Sequence, residues 1–278
     1  MLGIDVGGFK ILWVLVKNKK IVKKEIEVWK KKSLIFFLNK LKEIIEKNEE
    51  KRIGIGIPGL VKEGKIISCP NLPFLDNFNL KKFLEKKFKV KVLIENDANC
   101  FAFGEYQRWK KDLIAITLGT GVGGGIIIDG KVYKGKAFAG EVGHMSIKFN
   151  GRKCKCGNRG CLEEYISIRA FERESLKAFG KKLSPLEILK LAKNGNKKAI
   201  QIFNKIGKFL GIGLANLSNI FDPQLIVIGG GISKAGKFLI KPAKEELKKR
   251  CIHRIPRIVL GKEESGALGA ALLSLNDF

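Results

Sequence analysis

The sequence predicts an α/β protein made of two related domains that enclose a cleft. Three observations support this fold class. Short β-favouring apolar runs alternate with helical segments along nearly all of the 278 residues. The order strand, glycine-rich turn, strand occurs at the N-terminus and again from residue 113. Each of these starts is followed by further helices and strands, which is typical of two similar layered domains rather than of a short-period repeat.

The first half is predicted from apolar spacing, turn residues and helix-start residues. Ser33 is expected to cap the first helix, whose apolar residues share one face. The side chains of Asn96 and Asp97 suit the start of another helix. The predicted elements are three strands within residues 2–28, a helix over 33–48, a strand over 52–57, a helix over 79–88, a strand over 90–95 and a helix from 96 onward.

The second half is predicted in the same way. Asp129-Gly130 is a strong hairpin signal, and residues 137–161, rich in Gly, Cys and polar residues, are expected to form a functional loop. The other elements are strands over 113–118, 124–128, 224–228 and 257–260, and helices over 163–179, 185–193, 197–219, 237–249 and 265–275. We predict a small N-terminal domain over 1–110, completed by the C-terminal helix 265–278, and a larger domain over 111–264.

The formal net charge is +27, from 54 Lys and Arg residues against 27 Asp and Glu residues. Such a charge fits either a nucleic-acid or acidic-membrane partner or a solvated surface of the Lys-rich or heat-adapted kind. The basic residues are 45 Lys and 9 Arg spread along the chain. Nucleic-acid readers usually concentrate charge on one face and use Arg for paired contacts. We therefore favour the solvated surface and expect no specific nucleic-acid partner.

Location is predicted from three further features. No run of about 18 apolar residues occurs, so we expect no membrane span. The start Leu2-Gly3-Ile4-Asp5 lacks the basic and apolar pattern of a secretory signal. The six cysteines form a poor disulfide framework, because three fall within eight residues and three are scattered. We expect a cytoplasmic protein.

Three glycine turns follow predicted strands. The first glycine turn is Gly7-Gly8, the second is Gly119-Thr120-Gly121, and the third is Gly229-Gly230-Gly231. Glycine allows backbone N–H groups to approach a phosphate closely, although any single turn of this kind also serves a tight strand connection. Lys10 adds a cation, Thr120 adds a hydroxyl, and Asp5 is a candidate ligand of Mg²⁺. Together the turns predict a clamp for the phosphates of a nucleotide.

Asp97 is the candidate catalytic carboxylate. Phosphoryl transfer to a hydroxyl uses a carboxylate that accepts the hydroxyl proton. Asn96 beside it is able to hydrogen-bond a sugar hydroxyl. The alternative is that Asp97 only caps the helix.

A His/Cys cluster predicts a zinc site. His144 precedes Cys154, Cys156 and Cys161, and three thiolates with one imidazole make a closed ligand set of the structural type. The alternative is a chance group of reduced thiols. We expect the zinc to order the loop that presents Glu141 and Glu163, while the second ring nitrogen of His144 faces a ligand.

The chain closely resembles the ROK family (repressor, open reading frame, kinase), and the match runs nearly end to end. The glycine–histidine block and the cysteine block are together highly specific. The matching motifs are Asp5-Val6-Gly7-Gly8, Gly56-Ile57-Pro58-Gly59, Glu95-Asn96-Asp97-Ala98-Asn99, Leu118-Gly119-Thr120-Gly121-Val122-Gly123, Ala139-Gly140-Glu141-Val142-Gly143-His144, Cys154 to Cys161 with Glu163 and Ser167, Leu214-Ala215-Asn216-Leu217, and Asp222-Pro223 leading into Ile228-Gly229-Gly230-Gly231.

The resemblance implies an actin-like, hexokinase-type fold with two ribonuclease-H-like domains. It implies Asp97 as general base, and His144 with the three cysteines as the zinc set. The sugar ligands that follow from it are Asn96, Glu141, His144 and Glu163, and the predicted sugar-binding set also includes Gly59 and Asn71. It implies ATP, Mg²⁺ and structural Zn²⁺ as cofactors, and a homodimer or homotetramer.

Three departures from the family pattern concern phosphate-facing and sugar-facing loops. Phe9 stands where the family usually carries Thr, so a hydroxyl is lost near the phosphates. The loop 135–139 is one residue short and lacks an expected glycine. The segment 71–77 also lacks a glycine that usually follows its Asn-Leu-Pro start.

Three functions are compatible with these residues. The first is a kinase of the 6-hydroxyl of glucose, which the Gly-Glu-x-Gly-His block favours, or of an N-acetylhexosamine, allose or fructose, with ATP or polyphosphate as donor. The second is a sugar-responsive transcription regulator, which would carry a helix-turn-helix domain before the first strand. Because the first predicted strand begins at residue 2, we expect no such domain here. The third is a sugar-binding protein that no longer transfers phosphate, favoured only by Phe9.

Overall fold

The computed structural model describes residues 1–8, 10–28 and 33–275. The prediction about Phe9 and the last part of the predicted helix 265–278 lie outside the described residues. The chain divides into two compact units. Unit 1 comprises Met1–Ala115, Gly125–Gly140 and Lys262–Phe278, and unit 2 comprises Ile116–Gly124 and Glu141–Gly261. Residues 125–140 fall in unit 1, whereas the predicted boundary near residue 110 assigned them to the larger domain.

The strands and helices follow the predicted alternation. The strands are β1 Leu2–Val6, β2 Lys10–Lys17, β3 Lys20–Val28, β4 Arg52–Ile57, β5 Leu60–Lys62, β6 Lys65–Ser68, β7 Lys91–Asn96, β8 Leu113–Leu118, β9 Val122–Ile128, β10 Lys131–Val132, β11 Leu225–Gly229 and β12 Arg257–Leu260. The helices are α1 Leu34–Asn48, α2 Leu80–Phe88, α3 Asp97–Trp109, α4 Glu163–Ile166, α5 Ile168–Phe179, α6 Pro185–Lys193, α7 Lys197–Phe221, α8 Lys237–Arg250 and α9 Ser265–Leu273. Short 3₁₀ turns occupy Pro73–Leu75, Val142–His144 and Gly231–Ala235.

The first sheet brings three strand ends to one edge. Its order is β3-β2-β1-β4-β7, with β1, β4 and β7 parallel to one another. In register, Asp5 lies opposite Gly56, and Gly56 lies opposite Glu95. Because parallel strands end at the same edge, the residues that follow them are neighbours. The first glycine turn, Gly59 and Asn96-Asp97 therefore share one edge of unit 1.

The second sheet has the order β10-β9-β8-β11-β12, in which β11 and β12 are parallel. Its strands are rich in buried Ile, Val and Leu, as expected for a sheet covered on both faces. The second glycine turn connects β8 to β9, and the third follows β11.

Small residues allow α9 to pack very close to β1, β4 and α3. A Cβ added at Gly3 would lie 2.0 Å from the Ala267 carbonyl oxygen, and one at Gly54 would lie 1.8 Å from that of Ala270. A Cβ added at Gly104 would lie 2.0 Å from the carbonyl oxygen of Ser265. The Gly- and Ala-rich sequence of α9 thus closes the core of unit 1 from a segment far away in the chain.

Two helix ends show how the sequence sets element boundaries. Ser33 caps α1 by accepting from the Phe36 N–H, as its position predicted. The predicted helix over 163–179 is interrupted at Ser167, whose extended backbone separates α4 from α5. The hairpin β5–β6 was not predicted, because its strands are only three and four residues long.

No helix within the described ranges has both the length and the apolar character needed to cross a bilayer.

Candidate functional site

Asp5 lies at the end of β1, surrounded by protein although part of its surface remains accessible. Burial, followed by the nearby charge of Asp97, raises the pKa of Asp5 to about 7, while Lys10 opposes the shift. The backbone N–H of Gly7 donates to the Lys10 carbonyl oxygen at 2.8 Å, which closes the first glycine turn around Gly8. The Lys10 ammonium forms an ion pair with Glu263. Asp5, Gly7, Gly8 and Lys10 are therefore adjacent, as their assignment to one phosphate site requires.

Asn96 caps α3. Its Oδ1 accepts from the backbone N–H groups of Ala98 and Asn99, and its Nδ2 donates to the carbonyl oxygen of Gly59 at 3.1 Å. These bonds leave one amide hydrogen of Asn96 with no partner among the described residues. Two of the predicted sugar-binding residues, Asn96 and Gly59, are thus joined directly.

Asp97 is the first residue of α3, and its Oδ1 accepts from the Ala98 N–H at 2.8 Å. Because the capping position belongs to Asn96, helix capping alone does not require a carboxylate at Asp97. Asp97 lies near Asp5, because Asp5 pairs in register with Gly56, and a Cβ at Gly56 would lie 3.3 Å from the Cα of Asp97. A carboxylate pair at the end of parallel strands is suited to holding a cation and accepting a proton.

Gly59 and Asn71 belong to two turns that meet at Cys69. A Cβ at Gly59 would lie 3.2 Å from the Cβ of Cys69, and the Cys69 thiol donates to the Pro58 carbonyl oxygen. The turn from Cys69 to Leu72 contains Asn71 and is closed by a 2.8 Å backbone hydrogen bond. Gly59 and Asn71, both included in the predicted sugar-binding set, therefore belong to neighbouring turns of unit 1.

Glu95 and Lys134 form an ion pair that the sequence did not reveal. The buried Glu95 carboxylate lies 2.6 Å from the Lys134 ammonium and also accepts from the Asn96 N–H and the Asn99 side chain. The pair anchors the loop after β10 beside Asn96. No spacing signal links residues 95 and 134, so only the fold could have identified this contact.

The predicted zinc ligands come together in unit 2. The ligand atoms of His144, Cys154, Cys156 and Cys161 all lie within 4.8 Å of one another. The Cys156 and Cys161 sulfurs are 3.7 Å apart, and the Cys154 sulfur is 3.8 Å from His144 Nδ1. Tetrahedral zinc with its usual bond lengths would separate its sulfur ligands by about 3.8 Å. The four residues fit a zinc ion.

The ionisation of the cysteine thiols depends on whether a cation is bound among them. Burial, and then the neighbouring sulfurs, raise the pKa of Cys161 to about 12. Three thiolates at this spacing would repel one another, so a bound cation is needed to keep them ionised together.

His144 presents its two ring nitrogens to different partners. Nδ1 faces Cys154, whereas Nε2 lies 4.0 Å from the Glu141 carboxylate. Burial raises the pKa of Glu141, His144 opposes this shift, and Glu163 adds to it. Glu163 also has a carboxylate oxygen within 4.8 Å of the Cys154 sulfur, so Glu141, His144 and Glu163 are all grouped beside the candidate metal centre.

Glu163 contacts the second glycine turn. Its Oε2 accepts from the Val122 N–H at 3.0 Å, and its Oε1 accepts from Arg169 at 2.9 Å. A Cβ at Gly121 would lie 2.6 Å from Glu163 Oε2, so this glycine leaves room for the carboxylate. Around Gly119 the space is open, and Thr120 is half-buried. The contact with Arg169 was not predicted, because a separation of six residues across a helix break gives no sequence signal.

The third glycine turn packs against β8. Gly230 has a φ of 81° and lies so close to Leu118 that a Cβ would approach its carbonyl oxygen to 2.3 Å. Gly229 ends β11, and Gly231, with open space around it, begins a 3₁₀ turn. The second and third glycine turns of unit 2 thus lie at the ends of neighbouring strands.

The chain matches the ROK family model over residues 1–277. It is 40% identical over 204 residues to the xylose repressor of Bacillus spizizenii, covering 71% of this chain and 53% of that protein. The chain thus spans about half the length of this relative. It is 32% identical to the N-acetyl-D-glucosamine kinase of Aliivibrio fischeri, with 99% of each chain covered. It is 34% identical to the glucokinase of Thermotoga maritima, with 89% of this chain and 86% of that protein covered.

Solved structures agree with the sequence matches. A ROK family glucokinase from Streptomyces griseus, in complex with glucose and AMPPNP, superposes with a TM-score of 0.87 at 28% identity and 99% coverage of both chains. The ROK hexokinase of Thermus thermophilus gives a TM-score of 0.84 at 30% identity, covering 100% of this chain and 99% of that one. The predicted actin-like, hexokinase-type fold is confirmed. The family match over residues 1–277, together with these relatives, shows that the chain belongs to the ROK family.

Proposed function

We propose that the chain is an ATP-dependent sugar kinase that phosphorylates the 6-hydroxyl of glucose or a closely related hexose. The observation that carries the proposal is the position of Asp97, directly after the Asn96 cap and beside Gly56, the strand residue that pairs with Asp5. In this proposal Asp97 accepts the proton of the sugar hydroxyl while that oxygen attacks the terminal phosphate. The remaining amide hydrogen of Asn96 donates to the sugar.

The other proposed ligands are assigned unit by unit. In unit 1, Gly7, Gly8 and Lys10 contact phosphates, while Gly59 and Asn71 contact the sugar. In unit 2, the second and third glycine turns bind nucleotide, and Glu141, His144 and Glu163 form hydrogen bonds with sugar hydroxyls. Carboxylates and an imidazole at these distances match a polyhydroxylated ligand, because each hydroxyl both donates and accepts.

Two cations belong to the proposal. Asp5 is suited to Mg²⁺, which when bound would neutralise charge on the transferred phosphate. His144 and the three cysteines would hold Zn²⁺ as a structural ion, since all four positions are taken by protein. The zinc would keep the segment carrying Glu141 and Glu163 in place, and the chemistry would remain with Asp97.

The choice of sugar is supported by relatives. Glucose is favoured by the glucokinase of Thermotoga maritima and by the Streptomyces griseus glucokinase complex. N-acetyl-D-glucosamine is the principal alternative, because the Aliivibrio fischeri kinase matches 99% of this chain.

A second candidate function is sugar-responsive regulation of transcription. The specific observation in its favour is the 40% identity to the Bacillus spizizenii xylose repressor, which exceeds the identity to the kinases named above. That match covers 53% of the repressor. A regulator would bind its sugar without transferring phosphate.

The deciding experiment is a panel of sugars and donors assayed for product. Sugar phosphate would be detected by mass spectrometry with glucose, mannose, xylose, N-acetyl-D-glucosamine, N-acetylmannosamine, allose and fructose, each with Mg²⁺ and either ATP or polyphosphate. ADP release would be measured in addition where ATP is the donor. The Asp97→Asn variant gives the background. Glucose 6-phosphate formation would support the proposal. Xylose binding without turnover on any sugar would refute it and favour the regulator.

A further inference from the structure

Resting on the proposed function, we propose that Arg169 is a positioning residue that holds Glu163 between the sugar and the second glycine turn. One carboxylate would then couple the binding of sugar to the binding of nucleotide. The residues that carry the inference all belong to unit 2.

Glu163 uses its two oxygens for different partners. Oε1 accepts from Arg169 at 2.9 Å, and Oε2 accepts from the backbone N–H of Val122 at 3.0 Å. Each carboxylate oxygen has two acceptor positions, so one position on each stays available for a hydroxyl beyond the contacts with described residues. The carboxylate is therefore fixed at both ends and still able to bind a sugar.

The second glycine turn is shaped around this carboxylate. Gly121 has no side chain where a Cβ would come within 2.6 Å of Glu163 Oε2. A second bond ties the same segment to the turn, because the Ile168 N–H donates to the Gly119 carbonyl oxygen at 2.9 Å. The segment from Glu163 to Ile168 thus contacts both ends of the turn: Gly119, its first residue, and Val122, the residue directly after it.

Arg169 and Arg173 have separate tasks. Arg169 bridges Glu163 and the buried Glu164, at 2.9 Å and 3.2 Å. Arg173 contacts Glu164 through both its carboxylate and its backbone oxygen. Of these two arginines, Arg169 is therefore the one that reaches the carboxylate touching the glycine turn. Arg173 is a matched control of the same charge, one helical turn away.

The consequence is a link between two ligands. A hydroxyl that binds Glu163 favours the carboxylate orientation that also holds the Val122 N–H. Ordering Val122 orders the glycine turn, whose N–H groups are the proposed phosphate ligands. By linkage, nucleotide bound at the turn must strengthen sugar binding by the same factor. Without Arg169 the carboxylate would be free to leave either partner.

The test uses the full chain loaded with zinc, and its variants Arg169→Gln, Arg169→Lys and Arg173→Gln. Calorimetry would measure the Kd of D-glucose, and of N-acetyl-D-glucosamine, with and without AMPPNP and Mg²⁺. Hydrogen exchange of the segment 118–126 would report directly on the Val122 amide. Thermal unfolding would record the loss of stability that each variant causes.

We expect AMPPNP to tighten sugar binding about fivefold or more in the wild type. In Arg169→Gln the sugar Kd should rise about tenfold, the AMPPNP effect should disappear, and exchange at 118–126 should accelerate about tenfold. Arg169→Lys should keep part of the AMPPNP effect, and its changes in sugar Kd and in exchange at 118–126 should be smaller than those of Arg169→Gln. Arg173→Gln should lower stability while leaving the coupling and the exchange of 118–126 near wild type.

Two results would overturn the inference in distinguishable ways. If the wild type binds sugar and AMPPNP and Arg169→Gln shows unchanged coupling and unchanged exchange, Arg169 has no positioning role, and the proposed kinase function stands. If the wild type binds neither sugar nor AMPPNP, the proposed function fails, and the inference fails with it.

Discussion

Replacing Asp5 by asparagine should make the protein more stable above neutral pH. Burial and the neighbouring Asp97 raise the pKa of Asp5 to about 7 from an ordinary value of 3.8. The folded protein therefore holds this proton between those two pH values, whereas the unfolded chain releases it. The free energy of unfolding must then fall as the pH rises from about 4 to about 7. The Asp5→Asn variant has an uncharged amide at this position, so its free energy of unfolding would not fall in this way.

The magnitude follows from the same two values. At roughly 1.4 kcal/mol per pH unit, the full difference corresponds to about 4 kcal/mol. Part of the Asp5 surface is accessible to water, which reduces our expectation to about 2–3 kcal/mol at pH 8. At pH 5 the advantage of Asp5→Asn should be about two fifths of its value at pH 8, because the penalty begins near pH 4 and only about half of it develops between pH 5 and 7.

Urea unfolding at pH 5, 6, 7 and 8, at constant ionic strength and without Mg²⁺ or nucleotide, would measure the difference. Asp129→Asn, at an exposed hairpin turn whose φ of 51° suits asparagine, controls for the removal of one negative charge. An Asp5→Asn advantage that stays constant across this pH range would refute the linkage. So would a variant that is less stable than the wild type at pH 8.

Three further perturbations test the proposed site and the fold. Asp97→Asn should lower kcat about 10²–10⁴-fold with folding intact, measured by ADP release, and unchanged turnover would remove Asp97 as the base. Cys156→Ser should lose zinc, measured by elemental analysis, and weaken sugar binding before global folding fails, whereas Cys251→Ser should retain zinc. A metal-free Cys156→Ser protein with full activity would contradict the proposed role of the zinc. Gly54→Ala should destabilise unit 1 by about 1–3 kcal/mol or more in urea unfolding, because its Cβ would meet the Ala270 carbonyl at 1.8 Å, whereas Gly231→Ala, with open space around it, should not.

The fold was predictable because local signals and global packing agree along most of the chain. The buried β-branched runs became the parallel strands β1, β4, β7 and β11, and the cap residue Ser33 begins α1 as expected. The break at Ser167 was missed because the apolar spacing continues through it without Gly or Pro. The β5–β6 hairpin was missed because its turn, Glu63-Gly64, is not one of the strong hairpin dipeptides.

The candidate site was predictable where its residues are close in sequence. The cysteine spacing and His144 predicted a metal cluster, and the structure brings those four side chains together. Contacts between distant residues left no such signal. The Glu95–Lys134 ion pair depends on how the loop after β10 returns to β7, and the Arg169–Glu163 contact depends on the turn of the chain at Ser167.

Gly121 and Gly266 have a role that could not be distinguished from other roles of glycine in the sequence alone. A glycine near a phosphate loop is expected to free the backbone or to admit a phosphate. Gly121 and Gly266 instead leave space for carboxylates, since a Cβ would lie 2.6 Å from Glu163 in the first case and 2.7 Å from Asp5 in the second. Neither glycine has the positive φ that would require glycine for backbone reasons. In each unit, therefore, a glycine leaves space for one carboxylate. Burial of the Asp5 carboxylate raises its pKa, and this lowers the free energy of unfolding above neutral pH. A destabilising charge held in place by close packing is what a functional site, rather than a structural ion pair, would retain.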